Sequence, residues 1–172
     1  AGLKMMGANY VLDTNFSADV VIMEEGTELL NRIKDKHSVM PMFTSCCPGW
    51  VSFVEQHRPE MLDHLSTTRS PQAVLSSLAK TWLPEKIGAE PSKIRVISIM
   101  PCTAKKIEAG RPQLAKDGVP DTDLVLTVRE LARLFKSRGI DLKEIEDGEF
   151  DTPFMSRGSG AGVIFGKSGG VA

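Results

Sequence analysis

The sequence predicts an α/β fold built from a largely parallel sheet with flanking helices. Short apolar segments with the character of strands alternate along the chain with longer segments of helical character. Residues 94–100 are the clearest predicted strand, because they are apolar and rich in β-branched side chains. The segment from Thr127 to Glu130 has the pattern of a capping box at the start of a helix. Since strands that alternate with helices usually pair in parallel, the pattern favours a parallel sheet.

The first half of the chain predicts two strands and two helices. Residues 10–12 form a short predicted strand, and Ser17 then caps a helix that runs to about residue 34. Residues 39–43 are apolar and predict a short buried strand. A helix over residues 48–56 follows, since proline is tolerated in a first helical turn.

The second half repeats the alternation of helix and strand. Ser70 followed by Pro71 opens a helix, and Pro84 is expected to end that helix at about residue 83. After the strand at residues 94–100 come a helix over residues 103–109, a strand over residues 124–126 and a helix to about residue 138. Gly139 is expected to close the last helix.

The charge balance argues against several classes of partner. The 172 residues carry 21 basic and 22 acidic side chains, a formal net charge of −1. This balance gives no electrostatic reason to expect nucleic acid or an anionic membrane surface as a partner. No apolar run approaches the roughly 20 residues of a membrane span, and residues 1–10 lack the pattern of an export signal. We therefore expect a cytoplasmic location, with a periplasmic one left open.

The chain has three cysteines, and two of them are adjacent. An odd count with adjacent members is not typical of a disulfide framework. Cys46 and Cys47 follow one predicted strand, and Cys102 follows another. Because functional crevices in open α/β sheets lie at the carboxyl ends of the strands, we expect all three thiols at one sheet edge. The competing interpretation of a lone cysteine is a small buried apolar residue.

Adjacent residues in an extended chain point to opposite sides, so two adjacent thiols do not easily bind one compact metal centre. One of Cys46 and Cys47 can therefore be a ligand while the other acts nearby. If the segment after Cys102 is helical, Lys105 lies one turn further on the same side. A cation at that position could face an anionic group held by the cysteine.

Two segments carry a resemblance to a known family. The segments TSCCPGW at residues 44–50 and MPCTAKKIE at residues 100–108 resemble the first two of the three active-site signatures of iron-only (FeFe) hydrogenases. Their order and spacing are similar as well. Further similarity lies in IMEEGTELL, in the SPQ helix start and in GSGAGVIFGKSGGV. The resemblance implies that residues 1–172 are a truncated part of that family's two-lobed catalytic domain.

The resemblance implies a role for each candidate site residue. Cys47 and Cys102 would be ligands of a 4Fe-4S cubane, which is joined to a di-iron subcluster with CO, cyanide and dithiolate ligands in the H-cluster. Cys46 would donate and accept the proton beside the open iron, and Lys105 would hydrogen-bond a cyanide. Residues implied to line the di-iron pocket are Met100, Pro101, Gln72 and Phe165. Residues implied to carry protons between Cys46 and solvent are Glu25, Ser66 and Glu28.

Without the resemblance, several of these residues have simpler interpretations. Glu25 and Glu28 would form a solvated acidic helix face, and Ser66 would be a turn residue. Met100 and Phe165 would be ordinary core residues. For these residues the functional interpretation comes from the resemblance alone.

The implied activity is the reversible reduction of protons to hydrogen, with H₂ and protons as substrates. A ferredoxin-like electron carrier or accessory iron–sulfur domains would be the partners. The sequence departs from the family because only two of four cubane ligands are present, and both ends of the chain are interpreted as cuts. The loop that precedes residue 1 in the family and the third signature are expected to be missing. The chain alone is therefore expected to be inactive. Met100 and Phe165 are expected to be more exposed than in the complete domain, and Lys105 is expected to lack its anionic partner in the cluster.

Two other functions are weighed against the hydrogenase. One is an iron–sulfur or hydrogen-sensing module of the same family that does not turn over. The chain keeps every predicted proton-transfer position, which favours the catalytic form. The weaker alternative is a nucleotide-binding protein, because residues 161–168 loosely match a phosphate-binding loop. The apolar middle of that segment makes this match a poor one.

Overall fold

The structure is a computed structural model that describes residues 1–154 and 160–166, the last two of these by their backbone alone. The α-helices are α1 (Gly2–Met5), α2 (Thr14–Lys34), α3 (Pro48–His57), α4 (Pro71–Ile87), α5 (Ala104–Ala109) and α6 (Val128–Ser137). The strands are β1 (Ile97–Met100), β2 (Ala115–Lys116), β3 (Val119–Pro120) and β4 (Leu124–Thr127). The 3₁₀-helices are Pro59–His64, Pro91–Lys93, Pro112–Leu114 and Ala161–Gly166.

The chain divides into two compact units. We call Thr14–Leu78 with Arg157–Ala172 the helical unit, and Ala1–Asp13 with Ala79–Ser156 the sheet unit. Helix α4 contributes to both units, because the division falls within it.

The helical unit is built on α2, α3 and the first part of α4. Its core contains Val21 and Val54, which are both fully buried, together with Ala18 and Ala73. The 3₁₀-helix Ala161–Gly166 packs against α2. A Cβ on Gly162 would overlap the carbonyl oxygen of Asn15, so only glycine permits this close approach.

Both strands predicted for the first half of the chain are absent from the structure. Val39 and Met40 are exposed, and only Phe43 pairs, in an isolated parallel bridge with Leu65. Residues 10–12 are irregular, and the Val11 amide donates to the Asp151 carboxylate at 2.6 Å instead of to a strand. Both segments are apolar in part, but neither has a neighbouring strand that could satisfy its backbone groups.

Helix α2 ends at Lys34 as predicted but begins at Thr14, four residues before the start that a cap at Ser17 would give. Ser17 lies inside the first turn, where its hydroxyl donates to the Thr14 carbonyl oxygen at 2.8 Å. The prediction that Ser17 is the cap is therefore wrong. A serine hydroxyl can bond backward to a carbonyl within a helix as readily as it can cap one, and the sequence did not distinguish the two.

The sheet unit confirms the predicted α/β fold with parallel pairing and flanking helices. Strands β1 and β4 pair in parallel, with Ile97 opposite Leu124 and Met100 opposite Thr127. Helices α5 and α6 follow these two strands, and α6 packs against both of them. Because the two strands are parallel and in register, Pro101 and Val128 both leave the sheet at the same edge.

Helix boundaries in the second half are correct except at Pro84. Helix α4 begins at Pro71 as predicted, and the Ser70 hydroxyl accepts from the Ala73 amide at 3.3 Å. It does not end at Pro84 but continues to Ile87. Pro84 is fully buried, so its packing offsets the loss of one helical hydrogen bond. At α6, the capping box is present and Gly139 has φ of +69°, as the sequence predicts.

Candidate functional site

The adjacent thiols of Cys46 and Cys47 differ in environment. Cys46 is buried, with 9% of its surface exposed, and the Thr44 hydroxyl lies 3.4 Å from its Sγ. Cys47 is exposed and is the N-cap of α3, with φ of −96° and ψ of 107°. The extended backbone separates the two side chains as expected, because successive side chains of an extended chain point to opposite sides.

Glu28 lies at the centre of a polar network in the helical unit. Its carboxylate accepts hydrogen bonds from the Ser66 hydroxyl at 2.8 Å, from the Thr67 amide at 3.0 Å and from Arg32 at 2.6 Å and 2.9 Å. Burial acts to raise the pKa of Glu28, but the hydrogen bonds from Ser66, Arg32 and Thr67 outweigh it and hold the pKa below its usual range. Glu28 is therefore a carboxylate at neutral pH.

Glu25 has the opposite electrostatic character, although it lies less than one helical turn away. Burial raises the pKa of the Glu25 carboxyl, and the hydrogen bonds from the Ser66 hydroxyl and the Ser45 amide only partly counteract this effect. The negative charge of Glu28 raises it further. Its Oε1 is buried and has no hydrogen-bond partner among the described residues. Such an oxygen favours the protonated carboxyl, which can donate to a neighbour.

The network forms a series that begins next to Cys46. The Ser45 amide bonds Glu25, Glu25 shares Ser66 with Glu28, and Glu28 lines a polar cavity of about 390 Å³. The other residues that line this cavity are Glu24, Thr27, Asn31, Arg32, Asp35, Ser38, Thr67 and Thr68. The structure thus brings Glu25, Ser66 and Glu28 together. Their role in proton transfer, which the resemblance implies, stays a prediction.

In the sheet unit, Cys102 follows β1 directly, as the sequence predicts. Cys102 and Pro101 are exposed and Met100 is half-buried. The Lys105 amide donates to the Cys102 carbonyl oxygen at 3.3 Å, which places both residues at the first turn of α5. A thiol at this point is accessible to a ligand from solvent.

Lys105 has an anionic partner within its own helix. Its Nζ lies 2.9 Å from Glu108 Oε2, and the two side chains are only 13% and 8% exposed. The anionic partner that the resemblance implies for Lys105 is a cyanide of the cluster, a different group, so that contact stays a prediction. The i, i+3 spacing of a lysine and a glutamate was visible in the sequence and could have predicted this pair.

The neighbouring Lys106 binds a different carboxylate. Its Nζ lies 2.6 Å from Glu130 Oε1, while Glu130 Oε2 accepts from the Thr127 amide at 2.7 Å and its hydroxyl at 2.9 Å. The hydrogen bond from Lys106, followed by those from Thr127, lowers the pKa of Glu130 to about 2. Glu130 thereby connects α5 to the start of α6, a link that sequence reasoning missed.

The roles of several predicted site residues stay predictions. Gln72 is buried in α4 of the helical unit, and the side chain of Phe165 lies outside the described residues. Cys46 and Cys47 belong to the helical unit and Cys102 to the sheet unit, so their convergence at one edge stays a prediction. Among residues 1–154 and 160–166 there is no group of three or more His, Cys, Asp and Glu side chains that could hold a metal ion.

Comparison with known proteins decides the family. The profile described as iron only hydrogenase large subunit, C-terminal domain, matches residues 1–172. The chain belongs to this family. Among solved structures, a variant of apo [FeFe]-hydrogenase from Chlamydomonas reinhardtii is 42% identical, with a TM-score of 0.86 over 92% of this chain and 41% of that one.

The relatives of this iron-only hydrogenase domain fall into two functional groups. Iron hydrogenase 1 of Clostridium pasteurianum is 48% identical over 169 residues, which are 98% of this chain and 29% of that protein. The periplasmic [Fe] hydrogenase large subunit of Nitratidesulfovibrio vulgaris is 44% identical over 99% of this chain and 41% of that protein. Cytosolic iron-sulfur assembly component 3 of Bos taurus is 34% identical over 94% of this chain and 37% of that protein.

The chain matches only part of each relative, and the relatives differ in cellular compartment. The chain spans 29% to 41% of the three curated relatives named above. Their names include both a periplasmic and a cytosolic protein, so the compartment stays open. Within the described part of the chain, no helix combines the length and the apolar composition that a membrane crossing requires.

The chain offers donors that suit an iron–sulfur cluster in kind. Cys47 and Cys102 are exposed thiols, each at the start of a helix. Soft thiolates are the usual ligands of such clusters. A cubane usually takes four thiolates, of which these two residues would supply a part.

The phosphate-loop interpretation has no support in the described geometry. Residues Ala161–Gly166 form a 3₁₀-helix, and the Gly162 amide donates to the Asp19 carboxylate at 2.6 Å. A phosphate loop needs its amides for an anionic ligand, whereas here an amide binds a carboxylate of the protein itself. Lys167 and Ser168, which would complete the motif, lie outside the described residues.

Proposed function

We propose that residues 1–172 form part of the catalytic domain of a hydrogenase, and that the protein carrying them reversibly reduces protons to hydrogen. The observation that supports this proposal best is the hydrogen-bonded series Glu25–Ser66–Glu28 beside a buried cysteine thiol. Neighbouring carboxyls whose pKa values are displaced in opposite directions are a common feature of sites that transfer protons.

In this proposal Cys47 and Cys102 are thiolate ligands of a 4Fe-4S cubane. The attached di-iron subcluster, with its CO, cyanide and dithiolate ligands, would be held by Lys105, Met100, Pro101, Gln72 and Phe165. When bound, this cluster supplies the electrons and the iron at which protons and hydrogen interconvert. A ferredoxin-like carrier or accessory iron–sulfur domain exchanges electrons with it. The exposure of Cys47 and Cys102 supports their role as ligands.

The proposed proton route starts at the Cys46 thiol. A thiol with an ordinary pKa of about 8.5 is mostly protonated at neutral pH and can give and regain a proton. Glu25, whose pKa is raised by burial, receives or returns that proton. The Ser66 hydroxyl both donates and accepts, so it can pass a proton between Glu25 and Glu28. Glu28 borders the polar cavity and exchanges protons there with water.

A second candidate is an iron–sulfur protein that does not turn over hydrogen. The observation in its favour is the 34% identity with a cytosolic iron-sulfur assembly component. A hydrogen-sensing protein of the same family is a further form of this alternative. Both alternatives share the cubane with the hydrogenase, so binding of iron does not distinguish them, whereas hydrogen turnover does.

The deciding experiment expresses the full protein without oxygen, together with hydrogenase maturation enzymes, and measures hydrogen with a reduced dye. We expect turnover in both directions. A fully metallated protein that neither makes nor consumes hydrogen would refute the hydrogenase and favour the non-catalytic alternatives. Whether the protein mainly consumes or evolves hydrogen depends on the electron carrier that the full protein binds.

Three variants separate the proposed roles. Cys46→Ala should keep the iron content and lower turnover by about 10²–10⁴-fold, the usual contribution of general acid–base catalysis. Cys47→Ala should lose iron. Glu60→Gln is a matched control, because Glu60 is an exposed glutamate of the same unit and does not line the cavity of the proposed route. Loss of the cubane in Cys46→Ala would refute the assignment of Cys46 as the proton donor.

The isolated 172-residue chain is proposed to be inactive. Only two of its thiols are assigned to the cubane, and the addition of Cys46 would give three. Anaerobic reconstitution with iron, sulfide and a di-iron precursor, followed by iron counting, tests this. A stable cubane with hydrogen turnover would mean that another ligand or a second copy of the chain completes the site.

A further inference from the structure

Helix α5 carries two adjacent lysines that bind two different carboxylates. Lys105 binds Glu108 of the same helix, and both side chains are largely buried. Lys106 binds Glu130 of α6 at the surface, where the two side chains are 41% and 39% exposed. The two carboxylates therefore give two neighbouring lysines distinct environments, one shielded from water and one open to it.

The Lys105–Glu108 pair is poorly suited to a purely stabilising role. In a helix, a glutamate that precedes its lysine complements the macrodipole, and here the lysine precedes the glutamate. Burial adds a desolvation penalty that the attraction between the charges only partly offsets. An exposed pair of i, i+3 spacing in the same unit, Glu90 with Lys93 at 3.2 Å, has the favourable order and no such penalty.

The position of the pair suggests what it does. The Lys105 amide is bonded to the Cys102 carbonyl oxygen, so the lysine is tied to the backbone of the proposed cluster ligand. Glu108 lies one turn further and restrains the flexible end of the lysine side chain. An ammonium has three N–H donors and can serve a carboxylate and a second acceptor together.

We propose that Glu108 is a positioning residue that holds the Lys105 ammonium ready for an anionic ligand of the cluster bound at Cys102. This inference rests on the proposed function, in which that ligand is a cyanide. In this proposal Glu108 acts on the cluster through the Lys105 ammonium that it binds. Glu130 of α6 binds the neighbouring Lys106. In this proposal, Lys105 is therefore the lysine of the two that is available to the cluster ligand.

The first test addresses the ion pair in the full protein without its cluster. An amine-reactive label is applied to wild type, Glu108→Gln and Glu90→Gln, and each lysine is followed by peptide mass spectrometry. Glu108→Gln should speed the labelling of Lys105 several-fold and leave Lys106 and Lys93 unchanged, because the ammonium is no longer held. Glu90→Gln, the matched control, should change Lys93 alone. Unchanged labelling of Lys105 would overturn the inference.

The second test addresses positioning in the metallated protein. The infrared bands of the cyanide ligands should shift or broaden in Glu108→Gln and stay unchanged in Glu90→Gln. Glu108→Asp keeps the charge on a shorter side chain, so its cyanide bands should lie closer to those of the wild type than the bands of Glu108→Gln do. This variant keeps the test decisive if Glu108→Gln folds poorly. Normal bands in all variants would overturn this inference while the hydrogenase stands. Absence of cyanide bands in the wild type would overturn both.

Discussion

Ser66 and Glu28 are 38 positions apart in the sequence and are joined by a hydrogen bond of 2.8 Å between Oγ and Oε2. The same hydroxyl interacts with Glu25, whose pKa is raised by burial, while the pKa of Glu28 is lowered by its hydrogen bonds. A single buried serine thus lies between two glutamates whose pKa values are displaced in opposite directions. Because the three side chains belong to one hydrogen-bonded network, a substitution at one of them should change the pKa or the hydrogen bonding of the other two.

The first prediction concerns Ser66. Ser66→Ala removes a hydrogen bond that lowers the pKa of both Glu25 and Glu28, so both pKa values should rise. In the full protein, turnover should fall by about 10²-fold or more if the hydroxyl passes protons. Carboxyl chemical shifts from an NMR titration give the pKa values. Ser66→Thr keeps a hydroxyl and should retain most turnover, and equal loss in both variants would contradict the relay.

The second prediction concerns the pH dependence of stability at Glu25. The pKa of Glu25 is raised in the folded state, so the stability it contributes is fully present below pH 4.5 and is lost as the pH rises through the folded value. Glu25→Gln cannot ionise and should escape this loss. Urea unfolding at several pH values should show a variant that gains stability over wild type above the folded pKa and not below pH 4.5. The same gain in Glu24→Gln would rule out burial as the cause.

The third prediction concerns the ion pair between Lys80 and Asp123. Lys80 is 9% exposed and lies 2.7 Å from Asp123, which also accepts from the Val96 amide at 2.7 Å. Lys80→Met leaves that carboxylate without its main counter-charge. We expect a loss of roughly 2–3 kcal/mol, below the value for a fully buried pair, because Asp123 is 22% exposed.

Urea unfolding measures this loss, and Lys93→Met is the control because its pair with Glu90 is exposed and should contribute little. The double change of Lys80→Met with Asp123→Asn should cost less than the sum of the single changes. Additive losses would show that the two charges do not depend on one another.

The fourth prediction concerns Glu130. Its pKa is about 2, so the stabilisation it provides is present above pH 4.5 and is lost as the pH falls toward 2. Lys106→Met removes the first cause of the shift and should raise the pKa of Glu130 toward its ordinary value. An NMR titration of the Glu130 carboxyl checks this. Thr127→Ala removes the cap and should also lower stability by about 1 kcal/mol.

The fifth prediction concerns Gly162. Gly162→Ala would place a Cβ against the Asn15 carbonyl and so weaken the packing of Ala161–Gly166 on α2. Gly26 lies within α2 and a Cβ there would meet no atom within 4 Å. Gly26→Ala should therefore stabilise the protein by about 0.5–1 kcal/mol through helix propensity. Opposite signs for the two alanines in urea unfolding are the expected outcome, and equal signs would contradict the close approach.

The sequence by itself determined those features that depend on neighbours along the chain. The capping box at Thr127 and Glu130 and the helix end at Gly139 involve residues a few positions apart, so their patterns predict them directly. The parallel pairing of β1 with β4 follows from the alternation of strand and helix. The cysteine segments and their spacing were enough to indicate the family that the comparisons show.

The tertiary structure alone decided what depends on partners distant in sequence. Burial carried α4 through Pro84, and the absence of a neighbouring strand left residues 39–43 irregular, because packing and unpaired backbone groups outweigh local preference. Glu25 and Glu28 are identical residues on one helix, and only the surroundings that fold against them raise one pKa and lower the other. Desolvation and hydrogen bonding act through space, so the sequence could name these two carboxyls but could not tell the acid from the base.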